Sequence, residues 1–147
     1  MKKILIAIDY DQTAQKVAEK GFSLAKTMNA EVTLLHVISK PILYYTSYNT
    51  TPLAPIINVD ELKDVAQNFL DKTKLNLGDE SIQTLVKEGD TSVRILESAK
   101  TIKADVIVMG THSRQWLENI LIGSVAESVL KDSTLPLYII PTKKEAE

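Results

Sequence analysis

The sequence predicts an α/β fold, a three-layer sandwich in which an open, twisted, five-stranded parallel sheet lies between two layers of helices. Five short runs rich in Ile, Leu and Val carry the first observation: ILIAI (4–8), VTLLHVI (32–38), IQTLV (82–86), DVIVMG (105–110) and LPLYII (135–140). Strands buried on both faces read in this way, as short and nearly continuous apolar stretches. The second observation is that segments with helical spacing separate the runs. Strict alternation of the two kinds of segment is the third, and it implies right-handed crossovers and a parallel sheet covered on both faces.

The elements follow in order. The opening MKKILIAIDYD sets two lysines before an apolar run that Asp9 interrupts after five residues. A signal peptide needs an apolar region of roughly 7–15 residues, and a bilayer span roughly 20, so neither is expected. Residues 13–28 place Ala14, Val17, Ala18, Gly21, Phe22, Leu24, Ala25 and Met28 on one broad helical stripe. Residues 61–77 repeat the pattern with Leu62, Val65, Ala66, Phe69, Leu70 and Leu77, and residues 92–101 with Val93, Ile95, Leu96 and Ala99. GDTSV (89–93) offers Asp90 or Thr91 as a cap for that third helix, and Pro136 stands at the entry of the last strand, where a missing N–H costs little. A last helix is expected to start near Ser124. The exception is 39–60, with three prolines, three of the five tyrosines and no charge between Lys40 and Asp60. A loop of that length and apolarity is expected to pack on the domain, or else on a second subunit or a ligand. One domain over 1–142 and a short charged tail over 143–147 complete the division.

Composition narrows the function classes. Seventeen Lys and Arg against 19 Asp and Glu give a formal net charge of −2, so no basic surplus is available for a nucleic-acid backbone or an anionic membrane. Cysteine is absent, which removes thiol nucleophiles, disulfides and Cys-based zinc sites and suits the cytoplasm. No Ser, Cys or Lys nucleophile is visibly paired with a base, so binding is expected rather than catalysis, beyond slow hydrolysis of a bound nucleotide.

In an open parallel sheet, ligands bind beyond the carboxyl ends of the strands, where the winding reverses. Asp9 to Asp11, His36–Val37 and Met109–Gly110 fall at such ends. MGTHSRQWLENILIGSV (109–125) then joins Gly110 to Gly123 through twelve residues. The first N–H groups of the helix that follows, those of Gly123, Ser124, Val125 and Ala126, would favour an anion, and the Ser124 hydroxyl can cap the helix or donate to a phosphate. Two glycines and a serine cap can equally well just turn the chain. His112 and Arg114 read either as phosphate contacts or as solvated loop residues. His36 reads as a packed, hydrogen-bonded side chain rather than a metal ligand, and Asp11 as a cap for a helix beginning near Gln12. Trp116, Leu117 and Ile120 read as an apolar group packing the long loop.

Gly110-Thr111-His112-Ser113, nine residues, then Gly123-Ser124 resembles the phosphate-loop signature of the universal stress protein family (UspA-like). The likeness extends to KKILIAIDYD, AEVTLLHVI, KEGDTSVRILESAKTIKADVIVMGTHS and IGSVAESVLKDSTLPLYIIP, nearly the whole chain. It implies strand order 3-2-1-4-5, as in Rossmann-like and adenine nucleotide alpha hydrolase-like folds. It also implies a stress-response module that binds ATP or another adenine nucleotide, with Mg²⁺, in some members and not in others. Carried over, Asp9 and the backbone near Val37 face the adenosine, Met109 and Gly110 line the pocket, and Gly123, Ser124 and Val125 hold the phosphates. The chain departs from the signature at Ser113, where the nucleotide-binding pattern has its second glycine. If that position needs a left-handed backbone, serine costs about 1–2 kcal/mol, a factor of roughly 5–30 in affinity, so binding is weakened or lost. The resemblance further implies a homodimer through the last strand, Leu137, Tyr138, Ile139 and Ile140, whose apolar edge invites pairing.

Two readings remain open: a nucleotide-sensing dimer, and a nucleotide-free dimer of the same fold that contacts an unknown protein partner through 39–60 or the SRQWLEN loop. A receiver domain would need an aspartate ending the third strand, where LVKEGD places Asp90 as a cap. A dinucleotide fold would need glycines after the first strand, where DYDQT has none, and no P-loop lysine motif is present.

Overall fold

The structure is a computed structural model and describes residues 1–39, 59–111 and 122–142. Five strands, β1 (Lys3–Ala7), β2 (Glu31–Ile38), β3 (Gln83–Glu88), β4 (Val106–Gly110) and β5 (Leu137–Ile140), form one sheet in the order β3-β2-β1-β4-β5 with every pair parallel. Four helices connect them: α1 (Ala14–Met28), α2 (Val59–Leu77), α3 (Thr91–Ile102) and α4 (Ser124–Asp132). The five predicted strands and the first three predicted helices are present within two residues at each end, and the last helix starts at Ser124 as expected. Residues 40–58, which hold nearly all of the long proline- and tyrosine-containing loop, lie outside the described residues, as do 112–121 and the tail 143–147.

The nearly continuous strands divide their side chains by parity. Ile4, Ile6, Val32, Leu34 and Val108 pack with α1 and α2, while Leu5, Leu35, Ile107 and Met109 pack with α3 and α4. Because successive side chains point to opposite faces, an unbroken apolar run is what a sheet covered on both sides requires. Gly21 fixes how closely α1 lies on this sheet. A Cβ there would stand 2.7 Å from Ile6 Cδ1 and 3.0 Å from Val108 Cγ1.

The helix ends refine the sequence reading. Asp90 is the cap of α3, its Oδ1 accepting from the Val93 N–H at 3.1 Å. Asp11 does not cap α1 directly. Its Oδ1 accepts from the Thr13 N–H and hydroxyl, folding the chain one turn ahead of the helix, which starts at Ala14. Gly123, not Ser124, is the cap residue of α4, and Ser124 is its first helical residue. Two residues of the predicted stripes face water: Val65 is 51% exposed and Val93 53%. At 100° per residue Val65 lies one step off the buried line through Ala66 and Leu70, and Val93 two steps off Ile95.

Candidate functional site

The sheet winds outward in both directions from β1. The chain passes from β1 to β2 and β3 on one side, then crosses to β4 and β5 on the other. Crossovers leaving β1 and β4 on opposite faces part at the carboxyl ends of these two strands, and a crevice opens there. A cavity of about 290 Å³ occupies it, at the lower end of small-molecule sites.

Each wall has an identifiable source. The exit of β1 contributes Asp9, whose Oδ1 accepts from the Tyr10 N–H at 2.9 Å. The end of β2 contributes Val37, and the end of β4 contributes Met109 and Gly110. The fourth wall is the first turn of α4, with Gly123, Ser124 and Val125. Seven of the eight residues singled out from the sequence therefore surround one space. Ser113 is the eighth and lies outside the described residues, together with His112, Arg114, Trp116, Leu117 and Ile120.

Hydrogen bonds set the helix tip beside β4. Thr111 extends that strand, its N–H donating to the Ile140 carbonyl at 3.0 Å, and its carbonyl accepts the Gly123 N–H at 2.6 Å. The Thr111 hydroxyl accepts from the Thr142 N–H at 3.1 Å. Thr111 and Gly123 are thereby tied together next to the sheet. One donor expected to be free is thus used: the Gly123 N–H serves the chain itself. The first helical bond of α4 runs from the Glu127 N–H to the Gly123 carbonyl at 2.9 Å. The N–H groups of Ser124, Val125 and Ala126 precede it, and all three residues line the cavity. Gly123 has φ −72° and ψ 166°, which any residue adopts, so its backbone conformation does not require glycine.

The electrostatics are those of main-chain dipoles. Asp9 is the one charged side chain among the described lining residues. An anion here would be held by the α4 N-terminus, and Asp9 is placed at the other wall for a hydroxyl or amine donor. No group of three or more His, Asp or Glu that could hold a metal occurs among the described residues. His36 is buried at 8% exposure, with Nδ1 donating to the Ile8 carbonyl at 2.9 Å and its ring edge-on to Phe69, the packed role expected for it.

The universal stress protein family model matches residues 1–141. The chain belongs to the universal stress protein family. Universal stress protein MJ0531 of Methanocaldococcus jannaschii is 33% identical, with 98% of this chain and 84% of that one covered. The solved structure of MJ0577, from the same organism, superimposes with a TM-score of 0.77 at 28% identity, over 98% of each chain. A universal stress protein solved in complex with cAMP shares the fold with a TM-score of 0.60 at 17% identity, over 95% of this chain and 98% of that one.

Some lining residues escaped the sequence reading. Thr13, Ala14 and Val17 come from the first turn of α1, and Thr91 and Ile95 from that of α3. The signal existed for Thr91 alone, which was weighed as a cap. Asp90 takes that role and leaves the neighbouring threonine to the cavity. In this universal stress protein fold α1 follows β1 and α3 follows β3, and the N-terminal residues of both reach the same cavity.

Proposed function

We propose that this universal stress protein binds ATP or a related adenine nucleotide at the switch-point cavity and acts as a homodimer in the cytoplasm. The observation that carries the reading is the N-terminal turn of α4: Ser124, Val125 and Ala126, whose N–H groups precede the first helical bond, line a cavity whose far walls are Asp9 and Val37. Helix N-termini of this kind favour phosphate oxygens. Ser124, at the first helical position, has its hydroxyl beside them. The base and ribose would then lie toward Val37 and Asp9, with Met109 and Gly110 beneath. The donor set fits a phosphate and includes no basic side chain among the described residues, so Mg²⁺ would arrive coordinated by the phosphates themselves. The family's complex with cAMP supports the reading to the extent that this fold accommodates an adenine nucleotide.

Dimerisation is proposed through β5, which ends the sheet. The Pro136 and Ile140 carbonyls accept from Ile107 and Thr111 at 3.1 and 3.0 Å. Main-chain groups of alternate residues face the same neighbour, so those of Leu137 and Ile139 face outward, available to a second copy. Among the described residues no helix is long and apolar enough to cross a membrane.

Calorimetric titration of the nucleotide-stripped protein with ATP and Mg²⁺, carried to millimolar ligand, tests the proposal. Saturable binding that is lost in Gly123→Val supports it. Absence of heat over that range overturns it in favour of a nucleotide-free interaction protein.

A further inference from the structure

The pairing of β1 with β2 stops where the chain could have continued it. Ala7 aligns with Leu35, and the next rung is the Ile8 N–H donating to the Leu35 carbonyl at 2.9 Å. In a parallel ladder the main-chain groups of alternate residues face the same neighbour. Leu35 and Val37 therefore present theirs to β1. His36 and Ile38 present theirs to β3, as the Gly89 N–H donating to the Ile38 carbonyl at 2.9 Å shows. The following rung would run from the Val37 N–H to the Ile8 carbonyl. Among the described residues that carbonyl accepts instead from His36 Nδ1, at 2.9 Å, and no bond joins it to Val37.

The imidazole is well placed to keep this role. It is buried, edge-on to Phe69 of α2 with centroids 5.7 Å apart, and Phe69 is edge-on to Tyr10 at 4.8 Å. Ring contacts of this kind fix orientation as well as area. Ile8 is thus held to β2 twice, through its N–H by the strand and through its carbonyl by a side chain. Asp9 follows it directly into the cavity, and Val37, released from the ladder, lines the same cavity.

We infer that His36 is a positioning residue of the ligand site: by drawing the Ile8 carbonyl onto its Nδ1 and out of line with the Val37 N–H, it ends the β1–β2 ladder and sets where Asp9 and Val37 stand in the cavity. The inference rests on the nucleotide reading for its ligand, and on the ladder geometry alone for the role of His36. Removing the imidazole donor returns the Ile8 carbonyl to the Val37 N–H, which closes the donor and draws Asp9 toward β2.

Amide hydrogen exchange of the full chain, with and without ATP, combined with ATP titration of His36 variants, tests it. In the ligand-free parent the Val37 amide exchanges faster than that of Ile8 and slows when ATP binds. In His36→Leu it is protected without ligand, and ATP affinity falls about ten-fold. His36→Gln keeps size and polarity but moves the donor beyond reach, and should behave like the leucine variant even if that one folds poorly. His36→Asn, whose amide takes the position of Nδ1, should stay within about three-fold of the parent. Unchanged affinity in the leucine and glutamine variants, or a Val37 amide equally protected in parent and variants, overturns the inference. A parent that binds no nucleotide overturns the proposed function, while exchange in the ligand-free proteins still decides whether His36 ends the ladder.

Discussion

Gly123 and Ser113 offer two separate tests of the proposed nucleotide site. Gly123 has a backbone conformation open to any residue and lines the cavity at the α4 N-terminus, so a bulky residue there is expected to crowd the proposed phosphate position without forcing the backbone. Gly123→Val is expected to lower ATP affinity about ten-fold or more while the thermal unfolding midpoint stays within about 2 °C of the parent's. A parallel loss of stability would place the glycine's role in folding. Ser113→Gly is the opposite experiment: if a left-handed backbone is needed there, ATP binding tightens by roughly 5–30-fold. An unchanged constant in calorimetry would show that serine suits that turn. Most of the candidate site was legible at this scale, because Val37, Met109 and Gly110 stand at the ends of strands, Asp9 follows one, and Gly123, Ser124 and Val125 open a helix. Thr13, Val17 and Ile95 were not, since a side chain in a first turn is assigned to core or cavity only by the neighbours it meets.

The elements are held by short-range devices whose failure is measurable. Asp90 accepts from the Val93 N–H and the Ser92 hydroxyl, and these bonds hold its carboxyl below the usual carboxylate range. A group whose folded pKa is depressed stabilises above its unfolded value, about 3.9, and loses that contribution as pH falls through the lower folded one. Asp90→Ala should therefore lower the melting temperature at pH 7, with the gap to the parent closing below about pH 4. A gap independent of pH would mean the carboxylate is not the cap that matters. Gly21→Val would press its branch into Ile6 and Val108, which are fully buried, and is expected to cost about 2 kcal/mol or more in denaturant unfolding. A neutral result would show that α1 can lift from the sheet. Helical periodicity located each helix but overestimated two stripes. Val65 and Val93 are apolar, yet they fall on the water side of helices whose width of contact is set by the sheet.

At the scale of the molecule, β5 is the sheet edge at which dimerisation is proposed. Leu137 and Ile139 are partly buried against the α3–α4 face, while Tyr138 is 41% exposed, so a charge at Leu137 or Ile139 would disturb the monomer's own core as well as a contact. Ile139→Pro is the cleaner test of the main chain. It removes an outward N–H and leaves the rungs to β4 in place. Sedimentation should then show a monomer where the parent is a dimer, and a dimer retained by a folded proline variant would dispose of the β5 interface.

The sequence by itself determined the alternation of strands and helices, the two-sided burial of the sheet and the family, because apolar periodicity and a spaced glycine signature are local properties of the chain. Only the tertiary structure decided which strand ends meet at the crevice, that Thr111 hands its carbonyl to Gly123, and that His36 takes the carbonyl of a residue 28 positions away. Those are matters of register and crossover between distant segments. A hydrogen bond between strands is fixed by where both backbones stand, and neither local sequence contains that alone.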